Sequence, residues 1–349
     1  MGRVAGPGET SGAVRAADVA LRAGVSRKTV SRVLNDEPYV SPDVRRRVLS
    51  AAEELGYRRN NAARALASGR TRSIGVVALG TAGYGTSSLR VGIERAVGNA
   101  GYALRVVHTF EGKAANIAEA VNSLLEQGVD GVVMSEPIDE GEVSVSVDVP
   151  VLFLGAPPTF SAPAVVTTQI GVDDLLARTA VEHLLELGHT TVHHLAGPQW
   201  WFAARDRRRG WQATLEAHGR SVPPVLESGD WSAASGYAIG RELAADPGVT
   251  AVFTANDDMA IGLIRALMEA GRRVPDDVSV VGFDGNPVFA YVTPSLTTVR
   301  QPFDAVAREG LRLLVHAIEN PGADLPPAGA LPIELVVRSS TAPPPYRKK

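Results

Sequence analysis

The chain contains no cysteine. That excludes disulfides, thiolate catalysis and cysteine metal sites, and it suits a reducing, cytoplasmic compartment. Aromatic residues are only 5% of the sequence, so each deserves locating. No uninterrupted apolar run approaches the roughly 18–20 residues of a membrane span. Met1–Gly12 lacks the apolar stretch of a secretory signal and reads as a loose tail. No membrane partner is expected. Net charge is small, −3, but unevenly spread. Residues 13–72 hold 13 Lys and Arg against 6 Asp and Glu, a net +7 that leaves −10 on the rest. A basic head on an acidic body suits polyanion binding by the head alone.

What is present is enough for two or three domains: 349 residues, 45% of them hydrophobic. Near the start, Ala17, Val19, Ala20 and Ala23 give a short helix a small apolar face. Gly24 ends it, because Gly tolerates the left-handed backbone. Ser26 is suited to cap a second helix, whose Val30, Val33 and Leu34 point inward. Arg27, Lys28, Thr29, Ser31 and Arg32 remain outside. This is the pattern of a helix-turn-helix with a recognition helix for a DNA major groove. An ordinary helical hairpin with a charged face fits these residues as well.

Ser41-Pro42-Asp43 starts a third helix: Ser caps, Pro takes the first position, and Asp favours the positive end of the dipole. Val44, Val48, Ala51 and Leu55 close the core and Gly56 stops the helix. Asn60 can then cap a short helix over Asn61–Ala67. It is too short to be stable alone and would fold only when buried, with Leu66 as a wedge between base steps. A plain linker is the alternative.

The motif Asp18-Val19-Ala20…Ala23-Gly24-Val25-Ser26…Thr29-Val30-Ser31-Arg32-Val33…Asn35, followed by Asn60…Ala63…Leu66-Ala67, resembles the lactose-repressor family of bacterial transcription regulators. The resemblance implies a homodimer on a pseudo-palindromic double-stranded operator. Base readout falls to Arg27, Lys28 and Arg32, and minor-groove contact to Asn60, Ala63 and Leu66. Backbone contacts fall to Ser26, Thr29, Ser31, Arg59 and Arg64. Arg59 departs from the Pro common in the family, which loosens the hinge entry.

From Ser73 short β-branched runs alternate with helical stretches. Strands are predicted at Ile74–Leu79, Ala103–Val107, Gly131–Met134, Val151–Leu154, Val192–Ala196, Ala251–Thr254 and Val278–Phe283. Helices are predicted near Leu89–Ala100, Ala114–Gln127, Leu175–Leu187, Arg205–His218, Ala233–Ala245 and Met259–Ala270. Repeated β-α-β means parallel sheets covered on both faces. The expected architecture is an all-α helix-turn-helix head at 13–58, a hinge and linker at 59–72, and an α/β, two-lobed body at 73–341, like a periplasmic binding protein. Lobe 1 takes about 73–170 and 301–330, lobe 2 about 171–300 and 331–341. A tail follows at 342–349. Its three prolines forbid a heptad helix, so a dimer is expected.

Ligands in such sheets bind beyond the carboxyl ends of strands. Ser135, Arg207, Trp231, Asn256, Asp284 and Phe303 fall in such places. Aromatic faces with Asp, Asn and Arg suit a sugar. From the residues alone, core packing explains a lone Trp231 or Phe303, and capping or turn chemistry explains Asn256 and Asp284. The family motif favours ligand contact. Gly155 stands where the family's founding member has a sugar-binding Asp, and Leu79 replaces a small polar residue. Trp200, Trp201 and Phe202 add aromatic bulk. The expected effector is therefore a different sugar, larger or less polar, with a purine as the alternative.

The G-x-x-G-x-G run at Gly80–Gly85 is not a dinucleotide fingerprint, and no cofactor is expected. His183, Glu186 and His189 are spaced too far around a helix for a metal and read as helix surface and cap. No catalytic constellation or export signal supports an enzyme or a solute receptor. A DNA-binding repressor of carbohydrate genes, released by a sugar, is the expected function.

Overall fold

The computed structural model describes residues 14–34, 37–57, 69–110, 115–135, 138–139, 141, 143–155, 159–168, 172–226, 229–329, 331–332 and 334–345. The chain forms two compact units, residues 1–71 and 72–349.

The first unit holds α1 (Ala16–Ala23), α2 (Arg27–Leu34) and α3 (Pro42–Glu54). Gly24 ends α1 at φ 65 and returns its N–H to the Ala20 and Leu21 carbonyls. Ser26 Oγ accepts from the Thr29 N–H at 3.1 Å, capping α2. Ser41 Oγ accepts from the Val44 N–H at the start of α3. Val19, Ala20, Ala23, Val30, Val33, Val48 and Ala51 make the buried core. All are small, so the three helices pack closely around little volume.

The second unit contains two parallel-sheet lobes. Lobe 1 has β1 (Ser73–Leu79), β2 (Ala103–Thr109), β3 (Gly131–Ser135), β4 (Val151–Leu154) and β5 (Val165–Thr168), in the order β2-β1-β3-β4-β5. On one face lie α4 (Tyr84–Asn99) and α10 (Phe303–Glu319), with Ile93, Val97, Leu311 and Leu314 buried on the sheet. On the other lies α5 (Ala115–Glu126), anchored by Ile117, Val121 and Leu124. Lobe 2 has β6 (His193–Leu195), β7 (Ala251–Thr254), β8 (Ser279–Asp284), β9 (Thr297–Arg300) and β10 (Glu334–Val336), in the order β10-β9-β8-β7-β6. Only β10 runs antiparallel to its neighbour. α8 (Ala233–Ala245) and α9 (Asp257–Glu269) cover one face. α6 (Val172–Glu186) and α7 (Phe202–Ala217) cover the other. The chain changes lobe between β5 and α6, between β9 and α10, and between α10 and β10.

Among the described α-helices and strands, β5, β9, β10 and α10 were not predicted from the sequence. β9 reads Thr-Thr-Val-Arg, which looks like a polar loop. Its Thr297 and Thr298 are nevertheless fully buried, because their hydroxyls find internal partners. Ala342, where a tail is expected to begin, is held in place instead. The Ala342 N–H donates to Ser279 Oγ at 3.0 Å, and its carbonyl lies 3.0 Å from His189 Nε2. His189, expected at a helix surface or its cap, is 1% exposed and contacts Thr250, Ser279 and Ala342. His183 meets Thr341. These histidines hold the C-terminal segment against lobe 2.

Candidate functional site

In the first unit Arg27 and Lys28 are exposed at the start of α2, with no acidic residue in that turn. Ser26 and Thr29 join hydroxyls at 2.9 Å. Ser31 is exposed. Arg32 is half-buried, and its guanidinium folds onto Glu37 Oε2 at 3.2 Å and the Pro38 carbonyl at 3.3 Å. It braces the loop after the helix, so base contact through Arg32 requires leaving Glu37. Asn60, Ala63, Leu66, Arg59 and Arg64 lie outside the described residues, as does Asn35.

In the second unit a cleft lies between the lobes. Ser135, Arg207, Trp231, Asn256, Asp284 and Phe303 all line it. Ser135 and Asp284 end β3 and β8, Asn256 and Phe303 follow β7 and β9, Arg207 lies on α7, and Trp231 sits in the turn before α8.

Arg207, on α7, is 4% exposed. Its Nη1 donates to the Ala255 carbonyl at 2.5 Å, its Cζ lies 3.8 Å from the Phe283 ring centroid, and Nη2 is 3.7 Å from Asp284 Oδ1. The cation is thus fixed by a carbonyl, an aromatic face and a carboxylate. Asp284 ends β8 at φ 113, a conformation L-residues rarely adopt, and accepts from Gln301 Nε2 at 2.8 Å. Trp231 is also left-handed, at φ 72. A Cβ on Gly197 would come within 2.6 Å of its ring, so Gly is required there. Two strained non-glycine residues in one cleft mark a place where geometry is held for a purpose.

Asn256 lines the cleft and takes the capping role weighed for it. Its Oδ1 accepts from the Met259 N–H at 2.8 Å, capping α9, while Nδ2 donates to the Trp231 carbonyl at 2.9 Å. Behind it, Asp257 is buried. It accepts from Thr298 Oγ1 at 2.6 Å and the Asn286 N–H at 2.8 Å. Burial, then the nearby Asp284 charge, pushes its carboxyl well above the ordinary range. Asp257 therefore ties the turn carrying Asp284 to the helix carrying Asn256.

The aromatic bulk at 200–202 divides. Trp201 lines the cleft, and Trp200 is half exposed outside it. Phe202 stacks under Arg205 at 4.8 Å. Leu79, expected in the cleft, instead packs with Ile138, Trp201 and Ala204 in a small apolar cluster that spans the lobes. Ile138 and Trp201 form an antiparallel bridge there, and the Asp139 N–H donates to the Trp200 carbonyl at 2.8 Å. Arg205 pairs with Asp139 at 2.8 Å, and this hydrogen bond holds the Asp139 carboxyl below its usual range. The cleft is latched along this edge.

Sequence reasoning passed over Tyr84, Gln301, Asp206 and Asp230, which also line the cleft. Tyr84 was hidden in the glycine run 80–85, dismissed for lacking a nucleotide fingerprint. The rule that ligands sit beyond strand ends, applied after β1, would have found it.

A small helical head with an exposed basic helix, followed by a two-lobed body with a polar, aromatic-walled cleft, defines a DNA-binding transcriptional regulator with a periplasmic-binding-protein-like body. The comparisons agree in detail. The family model "Bacterial regulatory proteins, lacI family" matches residues 17–60, and "Periplasmic binding protein-like domain" matches residues 181–341. The Lactose operon repressor of Escherichia coli (strain K12) is 34% identical over 339 residues, 94% of this chain and 90% of that protein. The HTH-type transcriptional regulator CelR of Thermobifida fusca is 35% identical, covering 92% and 96%. Among solved structures, the lac repressor dimer bound to operator and the anti-inducer ONPF superposes with a TM-score of 0.76. It is 31% identical and covers 95% of this chain and 100% of that one. The chain belongs to the lacI family of bacterial transcription regulators.

Proposed function

We propose that this regulator is a homodimeric repressor of carbohydrate-utilisation genes, released from a pseudo-palindromic operator when a sugar enters the cleft. The observation that carries the sugar is the constellation of Arg207, Asn256 and Asp284 beside Trp231 and Phe303 in one interlobe cleft. A polyol needs paired acceptors and donors for vicinal hydroxyls and an aromatic face for its C–H side. Relatives support the class: one is a ribose operon repressor, and another was solved as a CelR-cellobiose complex.

Arg27 and Lys28 read bases, and Ser26, Thr29 and Ser31 meet the backbone. Arg32 joins them by exchanging Glu37 for DNA. Minor-groove contact by Asn60, Ala63 and Leu66, flanked by Arg59 and Arg64, belongs to the same proposal and rests on the sequence motif. Sugar shifts the lobes toward an arrangement that holds the operator poorly, acting by differential affinity for two states.

Operator footprinting with a panel of sugars tests this. Arg207→Ala is expected to bind operator like the parent but to stay bound when sugar is added. Loss of operator binding with sugar affinity intact would overturn the assignment.

A further inference from the structure

The cleft has two aromatic corners, one on each lobe. In lobe 2, Trp201 and Trp231 meet edge to face, with centroids 5.3 Å apart and planes at 69°. In lobe 1, Tyr84 and Phe303 meet likewise, at 6.1 Å and 73°. All four rings line the same cavity. A perpendicular pair makes a corner and not a slot. It cannot sandwich a flat purine between parallel faces, whereas it receives two adjoining C–H faces of a puckered ring. Two corners make room for two rings.

Charge narrows the choice. Among the described residues, the charged groups lining the cleft are Asp206, Asp230, Asp284 and Arg207. The Arg207 guanidinium already serves the Ala255 carbonyl and faces Asp284. Asp206 pairs with Arg209 at 2.9 Å. Asp230 accepts from the Ser232 N–H and hydroxyl, which keeps it ionised. An entering phosphate or carboxylate meets a wall of net negative charge, while hydroxyls meet acceptors. Donors are also at hand. The indole N–H groups of Trp201 and Trp231 are buried and find no acceptor among the described residues. Each such group is costly unless something bonds it. Gly155 and Ser135, both small, also line the cleft.

We propose that the effector is an uncharged disaccharide, one ring in the Trp201–Trp231 corner and the other in the Tyr84–Phe303 corner. Trp201 and Tyr84 are then specificity-determining residues. This rests on reading the cleft as a sugar site, and the test separates the two claims.

Full-length protein is titrated, by calorimetry and by release of its selected operator duplex, with glucose, galactose, glucosamine, glucose 6-phosphate, maltose, cellobiose, lactose and guanosine. The expected result is that one neutral disaccharide binds at least tenfold more tightly than its component monosaccharide, with no measurable binding of the phosphate or the nucleoside. Trp201→Ala and Tyr84→Ala each erase that advantage. Trp201→Phe, which keeps a ring and the packing against Ile138, retains most of it. Tyr84→Ala covers the case in which Trp201→Ala fails to fold. A monosaccharide, amino sugar, phosphosugar or nucleoside as the tightest ligand overturns the proposal. So do Trp201→Ala and Tyr84→Ala variants that weaken mono- and disaccharide equally. If a monosaccharide binds and releases operator, the sugar site stands without the two-ring claim. If nothing in the panel binds, both fall.

Discussion

His194 lies fully inside lobe 2, stacked between Trp211 and Phe253, with Nδ1 3.0 Å from the Phe253 carbonyl. Burial pulls its pKa down to about 4. The folded body thus keeps this imidazole neutral where an unfolded chain would protonate it. Because the folded value is the lower one, the native state binds fewer protons between the two. Stability is retained above about pH 6.5 and declines as pH falls towards 4, by on the order of 3 kcal/mol in full. His194→Phe is expected to flatten much of that decline, measured by urea unfolding at pH 7.5 and 5. A residual slope remains because burial also lowers His183, His189 and His193.

Among elements, the contact between α8 and α9 is set by glycine. A Cβ on Gly262 would lie 2.0 Å from the Ala233 carbonyl oxygen, and one on Gly236 would lie 2.2 Å from that of Met259. Backbone cannot yield as a side-chain tip can, so Gly262→Ala is expected to cost about 3 kcal/mol or to push the helices apart. Chemical denaturation and sugar titration report the two outcomes, because Asn256, in the cleft lining, caps α9. The interlobe latch is a separate case. The Asp139–Arg205 pair is more than a third exposed on both sides, so breaking it costs stability less than about 1 kcal/mol. Arg205→Ala is nonetheless expected to speed sugar dissociation in stopped-flow measurements, because the pair closes one edge of the cleft.

Which elements were legible follows the same physics. Strands such as β3, β4 and β7 were found from sequence because both faces of a parallel sheet are buried and their runs are apolar throughout, whereas β2, at the sheet edge, carries Arg105 and exposed positions. Several helices were read as starting late: at Leu89 and not Tyr84, at Arg205 and not Phe202, at Met259 and not Asp257. Their first turns face or support the cleft and carry polar or odd aromatic residues, so the apolar period begins one turn in. In α10, Gly310 breaks the pattern, yet its missing side chain is what lets Leu152 approach. The six cleft residues were found through the family motif and the strand-end rule together. Leu79, Trp200 and Phe202 were misplaced because sequence does not tell which side of a cleft rim a residue faces. Gln301 was missed because its partner, Asp284, is distant in sequence.

For the whole molecule, net +7 on residues 13–72 against −10 on the remainder confines polyanion affinity to the head. If each half of the dimer meets several phosphates, operator affinity falls by at least about 10³ between 50 and 200 mM salt. Filter binding across that range measures it. A flat salt profile would count against the head as the DNA-binding surface. Arg27→Ala is expected to relax base preference while leaving that slope reduced by no more than about one phosphate's worth.

The clasp of Thr341 and Ala342 by His183, His189 and Ser279 has a practical corollary for anyone handling the protein. A reporter or affinity handle grafted straight after Ser340 would pull the stopper from beneath β8 and leave two imidazoles facing a vacancy. The same handle placed beyond Pro345 leaves the stopper seated.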